Sequence, residues 1–485
     1  MAYAGGDYTN AEDLPYKIVP GDQPLHRESI FLERAIAGER VRLAMGLGIR
    51  PIQTRSLMTE GMDAAAVAEQ YYEPPLINII PYACHACPTN QYKVTVGCQN
   101  CLAASCQQVC PKGAISFVNG RSHIDPDKCI RCGKCAKACP YHAIIHLERP
   151  CQASCGMDAI GCDEHGKATI NQDKCVACGQ CLVSCPFGAI VDKGQIFQVI
   201  QSILKGDKVI AIVAPAFIGQ FSGMVSPGKL VTAMKMLGFD DVVEVAIGAD
   251  LCTIEEAKDF MEKVPAEQPF MATSCCPSWS MMAKKMFPEQ AKCISMALTP
   301  MVLTARLIKQ KEPDCKIVFV GPCAAKKLEA SRKSIRSYVD FVLTFEEVAG
   351  MFDAKGVDWK DIPEGEPLFR ASADGRGFAV SGGVAQAVVH AVKRIDPERE
   401  VKVVNAEGLQ NCKKMLQMAK IGKYNGYLLE GMACPGGCVA GAGTIQTVKK
   451  AAAALEKMKK EASFTDAYDS KYRARLESLE KFDVE

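Results

Sequence analysis

The cysteines are the residues of this chain most suited to chemistry. There are 26 in 485 residues, and seventeen of them lie between Cys84 and Cys185. Two segments, beginning at Cys129 and Cys175, have the spacing C-x2-C-x2-C-x3-C-P. This spacing supplies three thiolates to one [4Fe–4S] cluster and a fourth to a neighbouring cluster. Zinc sites generally use cysteine pairs without the third cysteine and the proline, so the spacing favours iron–sulfur clusters over zinc.

Two further cysteine sets are irregular copies of this motif. The repeat CPKGAI, CPYHAI, CPFGAI has a degenerate fourth copy, CGMDAI, which begins at Cys155. If fourth cysteines are exchanged between clusters, the sets are Cys98, Cys101, Cys106 and Cys139; Cys129, Cys132, Cys135 and Cys110; Cys175, Cys178, Cys181 and Cys155; and Cys84, Cys87, Cys151 and Cys185. The sequence thus predicts two to four accessory clusters. The grouping of Cys84 and Cys87 stays open, because Cys162 competes.

Three more cysteine motifs occur in the second half of the chain. They are TSCCPSW at 273–279, GPCAAKKLE at 321–329 and EGMACPGGC at 430–438. Each follows a strand-like apolar run, which is where an open α/β sheet carries its binding site. Together they offer five thiols, of which four could hold one more cubane cluster.

With these three motifs in this order, the chain resembles the [FeFe]-hydrogenases over about residues 81–460. The resemblance implies an H-cluster, in which a [4Fe–4S] cluster is joined to a diiron subsite with carbonyl, cyanide and azadithiolate ligands. It further implies that Cys438 bridges to the subsite, that Cys275 donates and accepts protons, and that Lys326 faces a cyanide. The implied cofactor-binding residues are Cys276, Cys323, Cys434, Cys438, Met432, Ala214, Pro215 and Ala216.

The same resemblance implies a proton relay of Glu329, Ser295, Glu256 and Asp259 that ends at Cys275. Asp259 stands where relatives usually carry Glu, and the shorter side chain calls for a bridging water. Alternatively, Glu256 and Asp259 are solvated charges on one face of a helix, since they are three residues apart.

Several positions depart from the well-studied members and indicate a divergent, group B-like branch. Gly321 stands where Met is common, and Met301 replaces a polar residue. The third motif ends in Gly441-Ala442-Gly443 rather than in three glycines. These changes predict an altered environment around the diiron subsite rather than a different cofactor.

The activity implied is the reversible combination of two protons and two electrons into H2. Electrons are expected from a ferredoxin-like carrier, and hydrogenase maturation proteins are expected as partners. Three alternatives are a hydrogen-sensing regulator, an iron–sulfur assembly protein of the same family that lacks the diiron subsite, and a bare electron-transfer protein, for which the large α/β region is unnecessary. No PAS-like segment typical of the sensors follows residue 460, and Cys275, Lys326 and Glu329 argue against the assembly protein.

Composition excludes other classes. The net charge of +2 lacks the basic excess of a nucleic-acid-binding protein, and no run of eighteen apolar residues predicts a membrane span. The first residues lack a signal-peptide pattern, so a cytoplasmic location is expected. Cysteines outside the motifs are predicted to be small buried residues; these are Cys252, Cys293, Cys315 and Cys412.

The elements that must position these residues change along the chain. We predict a helical N-terminal region (1–80) that docks on or covers the cysteine-rich segment. Next come a ferredoxin-like multi-[4Fe–4S] region (81–195), a catalytic region (196–462) and a charged, solvated C-terminal tail (463–485). After residue 196, apolar runs such as KVIAIVAP and DVVEVAIGAD, both expected to be strands, alternate with helical patterns. The predicted fold is therefore mixed α+β and α/β, multidomain, with ferredoxin-like domains preceding a two-lobed α/β iron-hydrogenase catalytic domain with parallel sheets.

Overall fold

The computed structural model of the protein describes residues 8–66, 74–332, 337–368 and 370–480. The strands are β1 (Ile77–Ile79), β2 (Gln91–Val94), β3 (Ile115–Val118), β4 (Arg121–Ile124), β5 (Ile144–Leu147), β6 (Ile160–Cys162), β7 (Ala168–Ile170), β8 (Ile190–Asp192), β9 (Val209–Val213), β10 (Asp241–Glu244), β11 (Met271–Ala272), β12 (Lys316–Gly321), β13 (Phe341–Thr344), β14 (Lys402–Glu407) and β15 (Tyr427–Met432).

The α-helices are α1 (Leu14–Ile18), α2 (Ile30–Ala44), α3 (Met62–Ala65), α4 (Ser105–Gln108), α5 (Lys134–Ala138), α6 (Pro150–Ala153), α7 (Gln180–Ser184), α8 (Ile196–Lys205), α9 (Pro227–Leu237), α10 (Ala246–Lys263), α11 (Pro277–Met286), α12 (Pro288–Ala291), α13 (Pro300–Lys309), α14 (Ala324–Ala330), α15 (Phe345–Lys355), α16 (Ala373–Gly377), α17 (Gly383–Ile395), α18 (Leu409–Lys420), α19 (Val448–Lys460) and α20 (Leu476–Glu480). Short 3₁₀ helices occur at Thr9–Asp13, Pro215–Phe217, Cys438–Ala440, Ala467–Asp469 and Arg473–Arg475. In the N-terminal region predicted to be helical, α3 is the last described helix, and 67–73 lie outside the described residues. Within the described ranges, no helix is both long and apolar enough to cross a membrane.

Two parallel sheets form the centre of the catalytic region. One has the strand order β10-β9-β12-β13 and the other β11-β15-β14, and all of their pairings are parallel. Every residue of β9 is buried, as its continuous apolar sequence requires for a strand covered by helices on both faces. The predicted parallel α/β architecture is confirmed.

One predicted strand is largely a helix. In DVVEVAIGAD, β10 ends at Glu244 and α10 begins at Ala246, so only the first half of this segment is extended. An apolar run does not by itself distinguish a buried strand from a buried helix. Here Gly248 lets α10 approach α13 closely, because a side chain at this position would collide with Thr304 and the Pro300 carbonyl.

Short two-stranded antiparallel sheets, rather than one extended sheet, build the cysteine-rich region. Its two-stranded sheets are β2-β5, β3-β4 and β6-β7, and β1 pairs with β8 to join the ends of the region. The N-terminal region lies against the last cysteine turn. Arg27 donates a hydrogen bond to the Phe187 carbonyl at 2.9 Å, and Arg40 donates one to the Gly188 carbonyl.

The C-terminal segment is not the solvated tail that its charge predicts. Leu476 and Leu479 are buried in an apolar cluster with residues of α10 and α13. Arg306 of α13 also donates a hydrogen bond to the Leu479 carbonyl at 2.8 Å. The charged side chains face outward, while a few apolar residues attach the segment to the catalytic region.

The close approach of β15 to α11 gives a test of this packing. A methyl group on Gly431 would lie 2.6 Å from Cε3 of the fully buried Trp279. We expect Gly431→Ala to destabilise the cluster-loaded protein by about 1–3 kcal/mol, a typical cost of overpacking, and to lower its melting temperature. As a control, Gly350→Ala lies in an exposed part of α15 with no neighbouring atom within 4 Å, and should leave the melting temperature unchanged or higher. Equal melting temperatures for both variants would contradict this packing.

Candidate active site and thiol cavities

A central cavity forms where the carboxyl ends of the parallel strands meet. It encloses about 850 Å³ of space not filled by protein atoms. Loops after β9, β11, β12 and β15 supply its walls, as expected for a site in an open α/β fold. The structure brings together in it the cluster ligands predicted from the three motifs, namely Cys276, Cys323, Cys434 and Cys438.

These four thiols are each partly exposed and line the same space. Burial raises the pKa of Cys323 to about 11 and that of Cys438 to about 12, and neighbouring thiolates add to each shift. Four such thiolates without a metal would repel one another, whereas a bound cluster would offset that repulsion. The donor set and the enclosed space therefore fit a cubane cluster.

Part of the cavity lining is apolar. Ala214, Pro215, Ala216 and Met432 belong to it, together with Met301 and Phe319. Phe319 explains the departure at Gly321, because residues 319 and 321 share one face of β12. A Cβ at Gly321 would lie 2.6 Å from Cζ of Phe319, so the phenyl ring occupies the space of a side chain at 321.

Cys275 lies in the same cavity next to a charged pair. Lys326 Nζ donates to Glu329 Oε2 at 2.6 Å and to the Cys275 carbonyl at 3.3 Å. Thr299 Oγ1 donates to the other oxygen of Glu329 at 2.6 Å. Burial opposes the charge of Lys326, but Glu329 outweighs it, so the pKa of this lysine is raised and it stays cationic. Burial, and then the nearby Glu256, raises the pKa of Cys275 well above the ordinary thiol value.

The predicted relay residues fall into separate hydrogen-bonded groups. Ser274 donates to Glu256 Oε1 through its backbone N–H at 2.9 Å and through Oγ at 3.2 Å. Ser295 Oγ donates to Asp259 at 3.2 Å, and Asp259 pairs with Lys263 at 2.7 Å. Glu256 is buried, whereas Asp259 is partly exposed, so the solvated-face alternative fits only the latter.

Glu329 is not hydrogen-bonded to the other residues of the predicted proton relay among the described residues. Its oxygens bind Lys326 and Thr299, and the described residues show no hydrogen bond between Glu329 and Ser295. Sequence reasoning missed Ser274, Thr299 and Lys263. The only available signals were the hydroxyls beside the motifs and the i, i+4 spacing of Asp259 and Lys263.

A second cavity contains the least certain of the predicted thiol sets. Cys84, Cys87, Cys151 and Cys185 line one space of about 340 Å³, together with the side chain of Arg149. Burial, and then Cys185, raises the pKa of Cys151 to about 11. The competing Cys162 is exposed on β6 and does not line this cavity.

The turns before the clusters support that grouping. In a leading C-x2-C pair, the residue just before the second cysteine adopts a left-handed conformation with φ of 47–59°. This holds in all four leading pairs, where the residue is Ala86, Asn100, Arg131 or Ala177. Cys84 and Cys87 therefore form the same turn as the regular motifs, although they lie far upstream of Cys151.

A second repeated turn follows the last cysteine of each motif. Three residues after that cysteine the chain is again left-handed, at Gly113, His142, Asp158 and Gly188. This conformation aims the next backbone N–H, always that of an alanine, at the cysteine sulfur. The N···S distances are 3.3–3.4 Å for Cys110, Cys139, Cys155 and Cys185. Such hydrogen bonds favour the thiolate that an iron cluster requires.

The remaining thiol sets lie near the central cavity and in the first part of the cysteine-rich region. Burial raises the pKa of Cys178 to about 12, with contributions from Cys155, Cys175 and Cys276, and Cys178 also lines the central cavity. In the outer lobe, which we define as residues 91–147, one apolar cluster contains Cys106, Cys110, Cys135 and Cys139. The exchange of fourth cysteines between neighbouring sets is compatible with this arrangement. Cys252, Cys293, Cys315 and Cys412 are buried, as predicted.

Comparisons with known proteins identify the family of this chain. Residues 207–442 match the iron only hydrogenase large subunit, C-terminal domain, and 122–145 and 168–191 match the 4Fe-4S binding domain. Iron hydrogenase 1 of Clostridium pasteurianum is 30% identical over 386 residues, covering 69% of this chain and 67% of that protein. A probable cytosolic Fe-S cluster assembly factor of Aedes aegypti is 29% identical, covering 47% and 59%. A solved variant of [FeFe]-hydrogenase HydA1 from Chlamydomonas reinhardtii covers 56% of this chain and 89% of its own at 24% identity, with a TM-score of 0.48.

The burial of Glu256 generates a pH prediction. Burial raises the pKa of Glu256 to about 7 from an ordinary value of 4.5, although Ser274 partly opposes the shift. The folded state then holds this proton more tightly than the unfolded chain, so stability falls as pH rises from about 4.5 to about 7. Glu256→Gln removes this loss. The difference in free energy of unfolding between Glu256→Gln and the parent protein should therefore grow, in favour of the variant, by about 2–3 kcal/mol from about pH 4.5 to pH 8. This follows from about 1.4 kcal/mol per pKa unit.

Denaturant unfolding of the cluster-loaded protein at both pH values measures the difference. Glu262→Gln on the same helix is the control, because Glu262 is exposed and should show no such pH-dependent gain. A gain for Glu256→Gln that is the same at both pH values would contradict the prediction.

Proposed function

Because the chain belongs to the iron-only hydrogenase family, we propose that it catalyses the reversible reduction of protons to H2. The observation that carries the proposal is the combination of groups in the central cavity. Four thiols suited to a cubane share it with a fifth thiol, Cys275, and with the cation Lys326. An electron-transfer or scaffold site needs the first four groups but has no use for the other two.

In this proposal Cys276, Cys323, Cys434 and Cys438 hold the [4Fe–4S] part of the H-cluster, and Cys438 also binds the diiron subsite. When bound, this group supplies the electrons and the open iron site at which H2 is formed or cleaved. The apolar lining formed by Met301, Phe319 and Met432 keeps water away from that part of the cavity. Lys326 stays charged beside Glu329 and offers an N–H donor to an anionic ligand.

Protons reach the cavity through Cys275. Its raised pKa keeps the thiol protonated, so that it can donate a proton and take one back without binding iron. Glu256, with a pKa of about 7, exchanges protons near neutrality, and its Oε2 has no hydrogen-bond partner among the described residues. Ser295, Asp259 and Lys263 form a separate hydrogen-bonded group, and the route requires a water molecule between this group and Glu256. Glu329 serves instead to fix Lys326.

Electrons travel through four accessory [4Fe–4S] clusters held by the thiol sets described above. Cys178 lines the central cavity, which supports a route in which its cluster passes electrons to the catalytic cubane. The outer lobe begins the route. It carries seven lysines and arginines and two aspartates, a formal charge of +5, whereas residues 150–195 carry a formal charge of −2. Cys132 and Ile130 are exposed in the outer lobe. This charge distribution suits an acidic, ferredoxin-like electron carrier.

The second candidate function is an assembly protein without a diiron subsite, because a relative of that kind is about as similar as the hydrogenase. Infrared spectroscopy of protein produced together with hydrogenase maturation proteins separates the two. Carbonyl and cyanide bands together with H2 turnover support the hydrogenase. Their absence from protein with a full complement of [4Fe–4S] clusters would overturn it.

Replacing Cys275 tests the proton route in the same samples. Cys275→Ala should keep the infrared bands but lower H2 production and uptake about 10²–10⁴-fold, the usual cost of losing a general acid–base group. Cys275→Asp should restore part of the rate, because a carboxyl group also carries a proton. Cys252→Ala serves as the control. It removes a buried thiol that lies on α10 and outside the cysteine motifs, so the variant should retain turnover. Near-normal turnover of Cys275→Ala would show that protons use another route.

The charge of the outer lobe gives a separate prediction. Lys134 and Lys137 are exposed on α5, and reversing both to Glu should lower the rate of reduction by an acidic carrier protein several-fold at low ionic strength. Added salt should narrow the difference, since it screens exposed charges. A small dye reductant should act equally well on both proteins.

The matched control reverses Lys457 and Lys460, which have the same i, i+3 spacing on α19 in the catalytic region. An equal loss of rate in both double variants would show that overall charge, rather than the outer lobe, attracts the carrier.

A further inference from the structure

Arg149 is a buried cation in the wall of the second cavity. The residue lies between β5 and α6 and directly precedes α6, the helix that carries Cys151. Only 3% of Arg149 is exposed. The guanidinium donates to backbone carbonyls only. Its Nη2 donates to Cys87 at 2.8 Å and to Gly166 at 2.7 Å, Nη1 donates to Gly161 at 3.0 Å, and Nε donates to Cys87 at 3.3 Å.

No carboxylate neutralises this cation within the described part of the chain, where Arg149 forms no ion pair. Burying a guanidinium without a counter-charge is costly, even when its N–H groups are hydrogen-bonded. The groups that can offset the cost line the same cavity, namely the thiols Cys84, Cys87, Cys151 and Cys185. The positive charge of Arg149 lowers the pKa of Cys87 and of Cys151, against the larger opposing effect of burial.

Lys285 and Lys326 are two of the other cations beside thiol sets, and each differs from Arg149 in one respect. Lys285 donates to the Asp173 and Cys175 carbonyls, but its side chain is exposed, so solvent screens its charge. Lys326 lines the central cavity with only 11% of its side chain exposed, but Glu329 pairs with it at 2.6 Å. Arg149 alone among these three is both buried and without a carboxylate.

We propose that Arg149 raises the reduction potential of the cluster held by Cys84, Cys87, Cys151 and Cys185 above that of the other accessory clusters. The inference rests on the proposed cluster content of the chain. Accepting one electron from the neighbouring cluster adds one negative charge to this one, and a nearby uncompensated positive charge favours that reduced form. The cluster therefore holds an electron at the junction between the outer lobe and the clusters nearer the central cavity. Arg149 acts here as a positioning residue that sets the electrostatic environment.

A redox titration followed by electron paramagnetic resonance tests the inference in full-length, cluster-loaded protein. Arg149→Gln keeps hydrogen-bond donors but removes the charge, so one accessory cluster should shift to a more negative midpoint potential while the others stay in place. Arg149→Lys keeps the charge and should leave that midpoint close to the parent value. Lys285→Gln, the matched control beside another thiol set, should shift no midpoint appreciably.

Three results would overturn the inference. The first is an unchanged midpoint in Arg149→Gln with the cluster retained. The second is an equal shift in Arg149→Gln and Arg149→Lys, which would assign the effect to hydrogen bonding rather than to charge. The third concerns the case in which Arg149→Gln loses the cluster, so that only Arg149→Lys can be titrated. In that case, a midpoint potential of Arg149→Lys that falls to the values of the other accessory clusters would overturn the inference.

The titration needs no H2 turnover and is performed on protein without the diiron subsite. A failure of the proposed hydrogenase activity therefore leaves its outcome intact. Conversely, finding Cys84, Cys87, Cys151 and Cys185 without a cluster would refute the role of Arg149 but leave the chemistry of the central cavity unaffected.

Discussion

Repulsion between buried thiolates is the constraint on which this structure depends. Several motif cysteines lie where ionisation is unfavourable, and burial raises the pKa of Cys178, Cys323 and Cys438 to about 11–12. Iron binding requires the ionised thiolate, so the free energy of cluster binding must offset the cost of ionising these thiols where they are buried. Much of the stability of the cysteine-rich region therefore depends on its clusters, because its two-stranded sheets are short and its apolar clusters small.

The backbone contributes to the same balance. Left-handed residues recur at fixed places around the thiol sets, and at Gly113, His142, Asp158 and Gly188 they turn a backbone N–H toward a sulfur. Two of these four residues are not glycine, although positive φ is unfavourable for other residue types. Their strain is tolerated because each turn is fixed by a cysteine at one end and by an alanine amide at the other.

Features that depend on residues close in sequence could be predicted, whereas features that depend on contacts between distant residues could not. Cysteine spacing could predict the regular motifs, and the strand-like runs could predict parallel sheets, since both depend on residues close in sequence. The partner of Glu329 could not be predicted, because Thr299 approaches from another helix. The helical part of DVVEVAIGAD and the buried Leu479 depend on tertiary packing that periodicity does not record. The role of Arg149 could not be predicted either, because the carbonyl groups that accept its hydrogen bonds belong to Cys87, Gly161 and Gly166, which are brought around it only by folding.

The packing of Phe319 against Gly321 also couples these two positions for protein engineering. A large side chain at 321 collides with the phenyl ring, whereas small residues at both positions leave a void in the cavity wall. The two residues therefore have to be exchanged together. A larger residue at 321 alone overfills the wall, and a small residue in place of Phe319 alone underfills it, so either single substitution costs stability that the paired exchange recovers.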